Sequence, residues 1–71
     1  MQLIIERPSK HNEAIETLAR TYLHSTSRNK FADVKLMAAI HHPEIKVGKG
    51  GHHIWFANNE TNARLAILYI A

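Results

Sequence analysis

The chain has no cysteine. A disulfide framework and a thiolate zinc site are therefore both excluded, and the composition fits a reducing compartment. No apolar run approaches the ~20 residues that cross a bilayer as a helix. The basic, apolar and small-residue succession of a secretory signal is missing from the start. A cytoplasmic location with no membrane partner is the expectation. Proline occurs twice and glycine three times, with all three glycines in one stretch. There is no internal repeat and no low-complexity segment. A length of 71 residues implies one domain, residues 1–71. A domain of this size buries only ~60% of the surface that its unfolded chain exposes.

Nine Lys and Arg stand against six Asp and Glu, for a formal charge of +3, and six histidines can add to it in mild acid. This balance favours anionic partners, and it also fits an ordinary small domain.

Gln2 to Glu6 is a short apolar run stopped by Arg7-Pro8, which predicts a first strand. Ala14, Ile15, Leu18, Ala19, Tyr22 and Leu23 recur at helical spacing. They predict a helix from about residue 9 to residue 24, with Pro8 in its first turn or Ser9 as its cap. The polar break Ser25 to Asn29 offers Ser27 or Asn29 as cap of a second helix, Lys30 to His41, which Pro43 ends. Its apolar positions (Phe31, Val34, Met37 and Ala38, with Leu36, Ala39 and Ile40 beside them) make a broad face, so it is expected to be the more buried of the two.

Glu44 to Val47 alternates and reads as the second strand. His52 to Ala57 reads as the third, and Asn58 to Asn62 as a turn. Ala63 to Ile70 is apolar on both faces and reads as a central strand, with a helix capped by Thr61 as the rival. The order β-α-α-β-β-β predicts an α+β domain, with two helices on one face of a small, mainly antiparallel sheet.

The most informative stretch is Lys46 to Phe56, which holds every glycine, the single tryptophan and two histidines. A tight reversal is expected at Gly48 to Gly51, because glycine takes positive φ without steric cost. Lys46, Lys49, Gly50, Gly51, His53, Trp55 and Arg64, with Lys35 as a further candidate, would form a nucleic-acid surface. Cations neutralise phosphates and rings stack on unpaired bases. A lone tryptophan in so short a chain is expected in the core. Alternation leaves one other arrangement: if Ile54 and Phe56 face the core, Trp55 and His53 are exposed as a recognition pair. His41, His42, His52 and His53 are two adjacent pairs without metal-ligand spacing, so no metal and no cofactor is expected. A histidine beside glycines is accessible for proton transfer.

The half from Ala32 to about Leu68 resembles the HicA-type toxin domain, a small dsRBD-like fold. There, a helix leads into a strand, a Gly-Ser-His turn motif and a hairpin, followed by a closing helix. Ala32 to Ile40 stands at the helix and Gly50-Gly51-His52-His53-Ile54 at the motif, with Gly51 in place of its serine. The resemblance implies a ribosome-independent mRNA interferase with His52 as the catalytic histidine and a cognate antitoxin as partner. The sequence thus reads as a small basic module that binds RNA or DNA, RNA ahead, and that would cleave without metal through His52. The alternative is a non-enzymatic inhibitor or adaptor that binds another protein. An apolar last strand at a sheet edge would then pair with a partner strand, or with a second copy as a homodimer.

Overall fold

The computed structural model describes residues 2–70. Strand β1 is Gln2–Ile5 and helix α1 is Asn12–His24. Helix α2 is Lys30–His41, and strands β2, β3 and β4 are Ile45–Lys49, His53–Asn58 and Arg64–Tyr69. The α+β order expected from the sequence is the observed one.

Helix α1 starts at Asn12, later than the expected start near residue 9. Ser9 and Asn12 bond each other instead: the Ser9 N–H donates to Asn12 Oδ1 at 3.0 Å, and the Asn12 N–H to the Ser9 carbonyl at 3.2 Å. The Ser9 hydroxyl also accepts from the His11 N–H at 3.1 Å. Ser9 therefore closes a turn ahead of the helix, and Pro8 lies outside the first helical turn. Helix α2 keeps its expected limits. Asn29 Oδ1 caps it by accepting from the Ala32 N–H at 3.0 Å.

Helix α2 is not the more buried helix. Only Val34 and Ala38 of it are buried, against Ile15, Leu18 and Ala19 of α1. Leu36 and Ile40 are 59% and 60% exposed. Its apolar residues are spread around the helix, and a helix lying on a sheet buries only one stripe.

The strands form one antiparallel sheet in the order β1-β4-β3-β2. The last strand is therefore central, as both of its apolar faces require. This removes the expectation that it offers a partner an open edge; the edges are β1 and β2. Phe56 pairs with Ala66 and Ala57 with Arg64, which leaves Leu65 as the extra residue of a bulge. Strict alternation groups Leu65 with Ile67 and Tyr69, but the bulge turns it into the core beside Ala66. Its carbonyl accepts the N–H groups of both Glu6 and Arg7, at 2.9 and 3.0 Å.

Both helices cover one face of the sheet. Ile15, Leu18, Val34, Ile54, Phe56 and Leu68 are its fully buried centre, and Leu3 and Ile5 of β1 pack against it. Among the described residues no helix is long and apolar enough to cross a membrane.

Between the helices the Ser25 hydroxyl donates to Asp33 Oδ2 at 2.7 Å. That bond, followed by a smaller contribution from the Ser27 hydroxyl, holds the Asp33 carboxyl below its ordinary pKa of 3.8. A lowered carboxylate pKa stabilises the fold above the unfolded-chain value, and this share is lost as pH falls through the lowered value. Ser25→Ala should therefore destabilise most above pH 3.8, and the gap to wild type should narrow in stronger acid, as followed by urea titration at several pH values. Asn29→Ala should cost about 1 kcal/mol through loss of the cap. In a thermal melt, the midpoint should fall by roughly 4–8 °C.

Candidate nucleic-acid interface

The helix-free face of the sheet collects most of the residues singled out from the sequence. Burial of Ile54 and Phe56 at 0% exposure sets the phase of β3, and alternation then turns His53, Trp55 and Ala57 outward. The tryptophan is therefore not a core residue. Of the two arrangements open to the sequence, the one adopted puts Trp55 and His53 on the face away from the helices, where both are half-buried.

Register orders this face into three rows across the strands. Gly50, His53, Tyr69 and Gln2 lie in the first, and Gly48, Trp55, Ile67 and Ile4 in the second. The third holds Lys46, Ala57 and Arg64, with Glu6 beyond. Ile67 is buried and Ile4 is 39% exposed, so the middle row is an apolar strip.

The glycines serve the rings rather than the turn. A β-carbon on Gly48 would stand 1.8 Å from Trp55 Cζ2, and one on Gly50 would stand 2.4 Å from His53 Cε1. Each ring lies over the bare backbone of its cross-strand glycine, an arrangement that shields strand glycines elsewhere. None of the three glycines has positive φ, so the expected left-handed turn is not formed. Gly48 lies inside β2, and the reversal narrows to the residues around Gly51 and His52. Gly51 is exposed, with open space where a side chain would be. Tyr69, 42% exposed, tilts against His53 with ring centroids 5.9 Å apart.

The cations divide between the two faces. Lys46 Nζ donates to Asn62 Oδ1 at 3.3 Å. Arg64 makes two bonds to the Glu6 carboxylate, at 2.7 and 3.1 Å. Both flank the aromatic rows. Lys49 pairs with the core residue Ile54 and so belongs to the helix side of the sheet. Lys35 is on α2, with Nζ 5.9 Å from the Phe31 ring centroid. Neither joins the open face, because the pleat and the helix layer carry them to the other side.

Asn62 takes φ 63° in the hairpin between β3 and β4, a left-handed conformation that asparagine tolerates. With Trp55, Ala57 and Arg64 it lines a shallow depression of about 220 Å³. Tyr69, Ile67, Ile4 and Asn62 were not among the expected site residues. Alternation along β4 points to Tyr69, but Ile4 and Asn62 reach the site only through strand order and hairpin geometry.

His52 lies at the hairpin tip, where its carbonyl accepts the Ile70 N–H at 2.9 Å. Its side chain is exposed and hydrogen-bonds nothing among the described residues. His42 Nδ1 is 3.6 Å from Glu44 Oε1. Among the described residues no group of three His, Asp or Glu is placed to hold a metal ion. Strand β4, Arg64–Tyr69, lies where the closing helix of a HicA-type domain would fall.

Gly48→Ala should push the indole off the sheet and cost about 1–3 kcal/mol by overpacking. Because Trp55 is the only tryptophan, its emission should shift to the red. Gly51→Ala should leave the emission unchanged and should not lower stability, since nothing lies within 4 Å of the added carbon. Equal effects of the two substitutions would show that the ring does not depend on Gly48.

Comparison of the chain with protein-family models, curated proteins and solved structures returns no match.

Proposed function

We propose that this protein binds single-stranded nucleic acid, RNA ahead of DNA, on the open face of its sheet. The observation that carries the reading is the pair of rings, His53 and Trp55, laid over Gly50 and Gly48 and half-buried on the face away from the helices. Two residues apart on one strand, they are about 7 Å apart. That is about twice the 3.4 Å step of a stacked strand, so they suit bases that have been unstacked. A duplex keeps its bases paired and cannot use them. RNA loops and ends are the commoner source of such bases.

Lys46 and Arg64 supply the phosphate contacts at one end of the rows. The Arg64–Glu6 pair is partly exposed, and such pairs contribute only ~0–1 kcal/mol, so Arg64 can exchange its carboxylate for a phosphate at small cost. The reading stops at binding. An imidazole that moves protons during catalysis is normally oriented by a third group, and the His52 side chain has no such partner among the described residues.

Fluorescence anisotropy with labelled oligouridine at low salt tests this. Wild type should bind it more tightly than an RNA duplex of equal length. Trp55→Ala should weaken binding by ~1–3 kcal/mol, roughly 5- to 150-fold. Lys46→Ala should lower the slope of log affinity against log salt by about one. Failure of wild type to bind any single strand, or equal binding of the duplex, would overturn the reading in favour of a protein partner.

A further inference from the structure

We infer that the free edge of β2 is a docking site for an extended acidic peptide, beside the open face and sharing only Lys46 with it. The Gly50 N–H donates to the His53 carbonyl. Hydrogen-bonded pairs alternate along an antiparallel ladder, so Gly48 and Lys46 also spend their backbone groups on β3. Val47 and Lys49 then direct both N–H and C=O away from the sheet, and neither N–H finds a partner among the described residues. Ile45 differs, because its N–H donates to the His42 carbonyl at 2.9 Å.

Beside this edge lies a groove of about 400 Å³ between β2 and α2, lined by Lys35, Ala38, Ala39, Ile45, Lys46 and Val47. Its walls combine apolar side chains with two lysines, and no carboxylate lines it. Lys49 stands on the same face at the end of the strand. An added strand exchanges main-chain bonds with the edge and places alternate side chains in the groove.

The register specifies the occupant. In an antiparallel strand, the residue opposite Val47 points into the groove and is apolar. The next residue toward the C-terminus is opposite Lys46 and is acidic. The residue two before the apolar one is opposite Lys49 and is acidic as well. Charge complementarity also disfavours a second copy at this edge. Each copy would bring Lys46 and Lys49, and edge lysines oppose edge-to-edge pairing.

The probe is a capped peptide with the central order glutamate, serine, valine, glutamate, valine, titrated into the ¹⁵N-labelled full chain. The expected result is shifts centred on the Val47 and Lys49 amides, slower exchange of both, and binding at least about tenfold weaker when the glutamates are replaced by lysine. Lys49→Pro removes one edge donor and blocks pairing, while being tolerable at a strand edge, so it should abolish binding. Lys35→Glu with Lys49→Glu should reverse the preference between the two peptides. If these variants lose their folded spectrum, the peptide comparison on wild type decides alone. The proposal is overturned by no shifts, by equal binding of both peptides, or by shifts confined to His53, Trp55 and Tyr69. It is equally overturned if the edge amides are protected without peptide in a chain that sediments as a dimer.

Discussion

The structure depends on the phase of β3. Ile54 and Phe56 are the side chains that fill the space beneath the helices, and neither has any exposed surface. A slip of one residue would put His53 and Trp55 in their place, and the helices would meet a histidine and an indole. Because β2 and β4 both pair with β3, this phase passes to them. Val47, Ala66 and Leu68 go to the core, while Gly48, Ile67 and Tyr69 go to the other face. The open face is thus a by-product of how the core is filled.

On that face the rings and glycines depend on one another. A strand glycine has no side chain to pack, and normally weakens a strand. Here the missing side chains of Gly48 and Gly50 make room for Trp55 and His53. The rings in return cover backbone that would otherwise be bare. The indole covers this surface without leaving solvent, and so the largest side chain of the protein sits outside its core.

The charges are arranged more loosely than the rings. Glu6 and Arg64 are 58 residues apart in sequence, yet the pairing of β1 with β4 makes them neighbours. Lys46 reaches Asn62 across the hairpin, while Lys49, three residues on, faces the helices. The cations of this region are therefore divided between two faces. The open face is primarily aromatic and secondarily basic, and Lys49 lies on the helix side of the β2 edge.

Much of this was legible along the chain. The limits of α2 follow from Asn29 and Pro43, and the strand character of β4 from its two apolar faces. Both are local matters of capping and periodicity, which short stretches of sequence determine. The start of α1 was not legible, because Ser9 and Asn12 prefer each other to the helix they flank. The excess apolar surface of α2 was misleading, since periodicity says which residues can be buried and not how much sheet there is to cover them. The site was half legible: alternation offered Trp55 either the core or the surface, and only the demand of the core for Ile54 and Phe56 chose between them. Local sequence was enough for the elements, their order and a set of candidate residues from Lys46 to Phe56. Only long-range contacts settle that Gly48 and Gly50 seat rings rather than make a turn, that Leu65 is bulged inward and that Lys49 leaves the aromatic face. Each of these is a matter of strand order and register, which are fixed by contacts between residues distant in the chain.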